Sequence, residues 1–186
     1  MDTNALVEDI IASVARTLKA IKAAEIHALQ QAVLNSSRIF IAGKGRTGLQ
    51  MKGFGMRLMH LGLRAHVVDE VTTPGIGEGD LLIIGSGSGR TGSLLRYADR
   101  CIEFGGTLAI ITGNLDGPLA EKAEITVEIQ ASNEKAGKSI NNNSVLVMGS
   151  LFEHTLGLLC DLIVLQLKAE LGIDEAEMIR RHANLE

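Results

Sequence analysis

The fold is decided by nine residues, Gly85-Ser-Gly-Ser-Gly-Arg-Thr-Gly-Ser93, which join two different hydrophobic patterns. The apolar run 81–84 precedes them, and from Leu94 onward apolar residues recur at helical spacing. This order is typical of a buried strand, a tight loop and the first turn of a helix. Because the amide groups at a helix start attract anions, the sequence predicts a site for a negatively charged group.

The composition of this stretch, which we name the serine loop (residues 85–93), indicates the kind of anion. Its glycines let backbone amides turn inward, and Ser86, Ser88, Thr91 and Ser93 add hydroxyl donors. A phosphate monoester offers three terminal oxygens that could accept from them. The alternative, a flexible Gly/Ser linker, is disfavoured because the loop stands between a buried strand and an amphipathic helix.

Length and composition favour one domain of ordinary size that does not bind nucleic acid. The chain has 186 residues, 46% of them hydrophobic, and a net charge of −4. It has no Trp, one Tyr and four Phe, so a basic, base-stacking surface is not expected. We predict a single domain over residues 1–186, with residues 1–36 as an N-terminal helical extension.

The cysteines and the N-terminus indicate the compartment. Cys101 and Cys160 lie far apart within apolar helical patterns, which is typical of buried thiols in a reducing environment. The first residues show no basic and apolar leader, and no uncharged apolar stretch reaches about 18 residues. We predict a cytoplasmic location and no membrane partner.

The order of strands and helices predicts an α/β protein with a single doubly wound domain and a five-stranded parallel sheet. The predicted strands cover residues 38–42, 65–69, 81–84, 107–112 and 125–129. The predicted helices cover residues 4–34, as one helix or two, and then 48–61, 93–104, 117–122, 145–171 and 174–182. Residues 130–144 form a polar loop in this prediction.

A second loop, the glycine loop (residues 43–48), complicates the functional prediction. Gly43-Lys-Gly-Arg-Thr-Gly48 fits the dinucleotide pattern G-x-G-x-x-G, and Asp69 follows Gly48 by 21 residues. We rank an NAD-binding Rossmann protein second, because five strands are few for such a domain and the serine loop would then have no role. Since both loops end parallel strands, they could instead hold one small phosphorylated molecule between them.

The serine loop resembles the phosphosugar loop of the sugar isomerase (SIS) domain. Other segments, in the same order along the whole chain, are similar to the family of 6-phospho-3-hexuloisomerases. These segments are Met56-Arg-Leu-Met-His-Leu-Gly62, Thr72-Thr-Pro74, Met148-Gly-Ser-Leu-Phe-Glu153 and Arg181-His-Ala-Asn-Leu185.

The resemblance implies a flavodoxin-like fold and a homotetramer that uses no metal or other cofactor. It implies isomerisation of 3-hexulose 6-phosphate to fructose 6-phosphate through an enediol, in the ribulose monophosphate route of formaldehyde fixation. By the family motif, Thr47 and residues 86–91 would hold the substrate and Glu153 would accept the proton. The predicted substrate-binding residues are Gly45, Arg46, Thr47, Ser86, Gly87, Ser88, Gly89, Arg90 and Thr91.

The residues alone leave the role of Glu153 open. Isomerisation needs a base that takes a carbon-bound proton and returns it to the neighbouring carbon. Glu153 is a carboxylate near the predicted start of an apolar helix, where it could be this base or could simply favour the helix dipole. For proton transfer between oxygens we choose His182, on a terminal helix that could reach across a subunit interface. His60 is predicted to be a packed core residue.

A different functional class also fits the sequence. Phosphosugar-binding modules without catalytic activity use the same kind of loop, so such a module is our alternative to an enzyme. We see no DNA-binding helix-turn-helix before residue 38, and a candidate base is present. Both features favour an enzyme.

Overall fold

The protein is described by a computed structural model covering residues 2–131 and 144–185. Most of the predicted polar loop, residues 130–144, lies outside the described residues. The strands are β1 (Ile39–Gly43), β2 (Ala65–Val67), β3 (Leu81–Ser86), β4 (Thr107–Thr112) and β5 (Ile125–Glu128). They form one parallel sheet in the order β2-β1-β3-β4-β5, which confirms the predicted fold class.

The helices are α1 (Thr3–Lys19), α2 (Ala23–Asn35), α3 (Gly45–His60), α4 (Gly92–Glu103), α5 (Pro118–Lys122), α6 (Ser150–Glu170) and α7 (Glu175–Arg180). Successive residues of a strand point to opposite faces of the sheet. Ile39 and Ile41 of β1 therefore join the core beneath α1, α2, α3 and α6, whereas Phe40 joins the core beneath α4 and α5. Helices on both faces bury β3 completely and most of β1 and β4, as expected of a doubly wound fold, while the edge strands β2 and β5 are only partly buried.

The strand register brings the two loops to the same edge of the sheet. Gly43, at the end of β1, pairs with Gly85 of β3, and Ser86 pairs with Thr112 of β4. The chain order reverses between β1 and β3, with β2 on one side and β4 on the other. In open parallel sheets ligands bind at such a reversal, outside the carboxyl ends of the strands.

The predicted start of the long C-terminal helix is wrong. The predicted helix 145–171 begins five residues later, at Ser150, because Met148 and Gly149 have φ angles of 53° and 82° and cannot belong to a right-handed helix. The sequence leaves open whether residues 4–34 form one helix or two, and the structure contains two, since the chain turns after Lys19.

Helix α6 is long and apolar enough to cross a membrane, by length and composition alone. More than half of its most apolar window is buried inside the protein, however, where it packs against α1, α2 and α3. Leu156, Leu159 and Ile163 are fully buried in the core shared with α3. Its apolar character is therefore explained by packing against the neighbouring helices.

Candidate active site

A pocket of about 460 Å³ opens at the carboxyl edge of the sheet, between the glycine loop, the serine loop and the start of α6. This volume lies in the range of sites for small molecules. Its lining is Lys44, Gly45, Arg46, Thr47, Gly85, Ser86, Gly87, Ser88, Thr91, Leu94, Val147, Met148, Gly149, Ser150, Phe152 and Glu153.

The serine loop is hydrogen-bonded to residues 112–119, which we name the backing segment. Four consecutive carbonyl oxygens of the loop accept hydrogen bonds from it: Ser86 from Thr112 Oγ1 at 2.8 Å, Gly87 from the Gly113 amide at 3.2 Å, Ser88 from Asn114 Nδ2 at 3.0 Å and Gly89 from the Leu119 amide at 3.1 Å. In a trans peptide the C=O and the N–H point in opposite directions. The backing segment therefore turns these carbonyls away from the pocket. The Gly89 amide donates back to Ser86 and the Arg90 amide donates to Ser88 Oγ, so the amides that this arrangement can direct to the pocket are those of Gly87 and Ser88, which both line it.

The glycine loop brings α3 unusually close to β1. A Cβ atom at Gly48 would lie 2.7 Å from the carbonyl oxygen of Gly43, and one at Gly43 would lie 2.9 Å from the Gly48 Cα. Neither position can hold a larger residue without moving backbone. The close approach sets the start of α3, with Arg46 and Thr47, at the wall of the pocket.

The opposite wall carries the candidate base. Arg46 Nη1 donates a hydrogen bond to Ser150 Oγ at 2.9 Å and lies 3.0 Å from Glu153 Oε2. The Glu153 side chain is 15% exposed, and among the described residues none donates a hydrogen bond to Oε2. Arg46 thus forms an ion pair with the carboxylate by proximity, while Oε2 accepts no hydrogen bond from the described residues.

Three helices begin at this pocket. The first residues of α3 and α6, Gly45 and Ser150, line it, and α4 begins directly after Thr91. Each helix start carries a partial positive charge from its aligned peptide dipoles. The pocket is therefore favourable for a dianion, even though the chain as a whole is acidic.

A polar cluster lies beside the glycine loop. Lys44 Nζ is 2.5 Å from Asp69 Oδ2 and 3.3 Å from the Tyr97 hydroxyl, which donates to Asp69 Oδ1 at 2.5 Å. These hydrogen bonds from Lys44 and Tyr97 lower the pKa of Asp69. They also occupy the carboxylate that a dinucleotide fingerprint would offer to a ribose hydroxyl.

Comparison with known proteins agrees with this geometry. The model of the SIS domain matches residues 33–155, which include both loops, the backing segment and Glu153. The chain belongs to the SIS-domain family.

Individual relatives match this SIS domain along its length. The 3-hexulose-6-phosphate isomerase of Bacillus subtilis (strain 168) is 39% identical over 186 residues, which cover all of both chains. The Mycobacterium gastri protein of the same name is 36% identical and covers 93% of this chain and 86% of its own. A Methanococcus jannaschii crystal structure, described as inferring 3-hexulose-6-phosphate isomerase function, has a TM-score of 0.83 at 31% identity, covering 97% of this chain and 98% of its own.

The SIS-domain structure brings most of the predicted site residues together. Gly45, Arg46, Thr47, Ser86, Gly87, Ser88, Thr91 and Glu153 all line the pocket. Gly89 and Arg90 do not, because Gly89 packs on the backing segment and the Arg90 guanidinium donates to the Asp116 carbonyl at 3.2 Å. For these two residues the predicted substrate contact is not supported by their position.

His182 lies elsewhere in its own subunit. Its ring stacks on His60 at the end of α3, with ring centroids 5.3 Å apart. His60 is 2% exposed, which confirms that it is a core residue, and its pKa is lowered by burial and then by Arg57 and His182. Since α3 starts at the pocket and has 16 residues, its far end is roughly 22 Å away.

The contacts of the two rings define their tautomers. Arg57 Nη1 lies 3.3 Å from His60 Nδ1, and because a guanidinium only donates, the neutral ring of His60 carries its proton on Nε2. His182 Nδ1 lies 3.0 Å from the Ala183 carbonyl, so Nδ1 bears the proton and Nε2 is the acceptor of the neutral ring. Arg181 ties this segment to α3 by donating to the His60 carbonyl at 3.0 Å.

Sequence reasoning missed the residues behind the serine loop and one beside Glu153. Thr112 and Asn114 are buried and contact the loop only after the fold is formed, so no local pattern indicates them. Ser150 is the other missed residue. Its place in the site depends on where α6 begins, which the unusual backbone at Met148 and Gly149 decides, so no local pattern indicates it.

No group of three or more His, Cys, Asp or Glu side chains within residues 2–131 and 144–185 is placed to hold a metal ion. Cys101 and Cys160 are buried free thiols, as predicted. Burial, with a smaller effect of Glu124, raises the pKa of Cys101 to about 11. Neither thiol lines the pocket, so neither is a candidate nucleophile for its chemistry.

Proposed function

We propose that this SIS-domain protein is a cytoplasmic 3-hexulose-6-phosphate isomerase, which forms fructose 6-phosphate in the ribulose monophosphate route. The position of Glu153, across one small pocket from the serine loop, carries this proposal. A phosphate held by the loop would place the sugar carbons toward the carboxylate. The full-length likeness to isomerases of that name supports the same substrate.

The chemistry follows from the positions of the two carbonyls. Substrate and product differ in having the carbonyl at C3 or at C2, so a base must remove the proton from C2 and return it to C3 through an enediol. Glu153 would perform both transfers with its available Oε2. Arg46, 3.0 Å from that oxygen, would also lie close to the enediol oxygens and stabilise negative charge there.

This reaction requires no cofactor or metal in our proposal. The electrons stay within the sugar, because one carbon is oxidised while its neighbour is reduced. The active unit would be residues 1–186 as one SIS domain, with residues 1–36 as an N-terminal extension. In the structure this extension is packed, since α1 contacts α6 and α2 contacts β5.

The site would be completed by a second copy of the chain in a homotetramer. A groove of about 680 Å³ runs along α1, α3 and α6, from Gln50 near the pocket to Arg57 near the His60–His182 pair. Ile11, Met56 and Leu158 of this groove are exposed apolar residues, a property typical of subunit interfaces. The His60–His182 pair and the pocket thus lie at opposite ends of one apolar face.

A twofold axis through the middle of this groove would exchange its two ends. The partner's α3 would then run antiparallel to this one and bring His182 of the partner subunit toward Glu153. His182 could there move a proton between the C2 and C3 oxygens. The proposal therefore assigns Glu153 and His182 as catalytic residues of one composite site.

Formation of fructose 6-phosphate from 3-hexulose 6-phosphate tests the proposed function directly. In D₂O the enzyme should also incorporate deuterium into the sugar. Tight binding of the phosphosugar without product or exchange would instead identify a non-catalytic binding module. Calorimetry with NAD should show no binding, and micromolar affinity would favour the Rossmann alternative.

Mixing two inactive variants tests the composite site. Glu153→Gln and His182→Ala proteins should regain activity when their subunits exchange, because some sites then contain both wild-type groups. Exchange must be verified independently, for example by mass spectrometry of labelled subunits. Exchanged but inactive mixtures would place both groups in one subunit or remove His182 from the mechanism.

A further inference from the structure

Asn114 lies under the serine loop rather than in the pocket. It is 2% exposed and does not line the pocket surface. Its position, directly after β4, places it between the loop and the start of α5. Asn114 therefore cannot act on a ligand by direct contact, and its influence must pass through the backbone that it holds.

Both polar atoms of the Asn114 side-chain amide form hydrogen bonds. Nδ2 donates to the Ser88 carbonyl at 3.0 Å, and Oδ1 accepts from the Asp116 amide at 3.3 Å. The backbone N–H of Asn114 donates to Thr112 Oγ1 at 3.1 Å. These bonds fix the side chain in one orientation, in which only a donor at the Nδ2 position matches the carbonyl that faces it.

The loop needs such a support because its own sequence is permissive. Gly89 has a φ angle of 64°. Gly85, Gly87 and Gly89 alternate with serines, so the backbone of the unsupported loop has many accessible conformations. A ligand that had to order this loop would lose binding free energy to its conformational entropy. A loop that is already held with its carbonyls turned back binds a phosphate without that cost.

We infer that Asn114 is the positioning residue of the serine loop and sets the affinity of the pocket for phosphate monoesters. The inference rests on the phosphate site of the proposed function, but not on Glu153 or on the isomerisation. Asn114 acts through the Ser88 carbonyl: it holds the peptide whose Gly89 amide donates back to Ser86, and so fixes the turn that presents Gly87 and Ser88 to the pocket. Its removal should weaken binding of the phosphate and leave the chemical step unchanged.

The test compares Asn114→Ala with Gln30→Ala, in which another buried side-chain amide is removed together with its hydrogen bond. Gln30 bonds to Gln166 between α2 and α6, away from the pocket. Calorimetry with fructose 6-phosphate should show about tenfold weaker binding for Asn114→Ala, as expected for about one lost hydrogen bond, and unchanged binding for Gln30→Ala. KM should rise by the same factor, with kcat within about twofold of wild type.

Asn114→Asp sharpens the test because it keeps the size and removes the donor. A carboxylate oxygen would face the Ser88 carbonyl oxygen, and its charge would repel a phosphate, so binding should be weaker than in Asn114→Ala. Thr112→Val removes the donor to the Ser86 carbonyl at the other end of the same row. It should also weaken phosphate binding. If Asn114→Ala does not fold, Thr112→Val still tests whether the backing segment sets the phosphate affinity.

Wild-type affinity in the folded Asn114 and Thr112 variants, with a lower Tm like that of Gln30→Ala, would show a purely structural role and overturn the inference. Wild-type protein that binds neither fructose 6-phosphate nor inorganic phosphate would overturn the phosphate site itself. Binding that depends on Asn114 in a protein without isomerase activity would support the inference and contradict only the proposed reaction.

Discussion

The two glycine-rich loops end neighbouring strands and look alike in sequence, but they use their glycines differently. In the glycine loop, Gly43 and Gly48 let the first turn of α3 press against β1, where added Cβ atoms would lie under 3 Å from backbone. In the serine loop, four successive carbonyls from Ser86 to Gly89 are bound from behind. The first loop is shaped by packing, and the second by hydrogen bonds from another segment.

This difference shows why the spacing G-x-G-x-x-G does not by itself identify a ligand. The spacing reports a close approach of helix and strand, which the structure contains. Nucleotide binding would also need an available carboxylate at the end of β2, but Asp69 is bound by Lys44 and Tyr97. The glycine loop instead contributes Arg46, which reaches Glu153.

The largest effect is expected from a change at Glu153, across the pocket from the serine loop. Glu153→Gln keeps the shape of the side chain but cannot accept a proton, so kcat should fall by about 10²-fold or more. Binding of fructose 6-phosphate should stay within a few-fold of wild type, because the serine loop is unchanged. Steady-state kinetics and calorimetry measure the two quantities.

Glu170→Gln is a suitable control, since it makes the same chemical change at the last residue of the same helix. It should leave kcat unchanged. A Glu153→Gln enzyme with near wild-type kcat would show that Glu153 only favours the start of α6.

The next effect concerns the packing role of the glycine loop. Gly48→Ala would place a Cβ atom 2.7 Å from the Gly43 carbonyl, so the free energy of unfolding should fall by about 1–3 kcal/mol. Gly53→Ala, on the same helix with no atom within 4 Å of the added Cβ, should raise it by up to about 1 kcal/mol. Denaturant titrations measure both, and equal changes would refute the packing role.

A smaller effect is expected from one hydroxyl of the serine loop. Ser88→Ala removes a donor that can reach the phosphate, and also the acceptor of the Arg90 amide at 3.3 Å. We expect about 10- to 100-fold weaker binding of fructose 6-phosphate, with a parallel rise in KM. Ser93→Ala, beyond the pocket lining, serves as the control. Unchanged KM in Ser88→Ala would indicate that backbone amides hold the phosphate without this hydroxyl.

The smallest effect is the pH dependence of the Lys44–Asp69 pair. Hydrogen bonds from Lys44 and then Tyr97 lower the pKa of Asp69 below its ordinary 3.8, and those from Lys44 to Asp69 and then Tyr97 raise the pKa of Lys44 above 10.5. The pair therefore stabilises the fold between these values, and its contribution is lost as the pH falls through the folded pKa of Asp69 or rises through that of Lys44.

Lys44→Met should accordingly lower the free energy of unfolding slightly at pH 7, by an amount within the roughly 0–1 kcal/mol typical of exposed pairs. The difference from wild type should shrink as the pH approaches 3. A constant difference at all pH values would assign the effect to packing of the side chain rather than to its charge.

The sequence was sufficient to predict what depends on local pattern. Apolar runs placed all five strands, and their alternation with helical segments gave the parallel sheet. The helix start at Ser150 could not be predicted, because the preceding residues are apolar and nothing in their composition shows that Met148 adopts a positive φ. Element identity follows from periodicity, whereas this boundary follows from one unusual backbone conformation.

The candidate site also contains some residues that the sequence could locate and others that it could not. The loops that end strands could be located from glycines and hydroxyl residues, and they do meet in one pocket. Thr112 and Asn114 could not, because their importance comes from a partner 26 residues away. The stacking of His182 on His60 was also not predictable, since it depends on how the last helix returns to α3.

The separation of these contacts along the chain has a consequence for folding. The bond from Thr112 to the serine loop spans 26 residues, but that from Arg46 to Ser150 spans 104. Closing the longer loop costs more chain entropy and must wait until α6 has been synthesised. We therefore expect a nascent chain to complete the proposed phosphate site before Arg46 contacts the helix that carries Glu153, so that a phosphosugar could stabilise the incomplete domain on the ribosome.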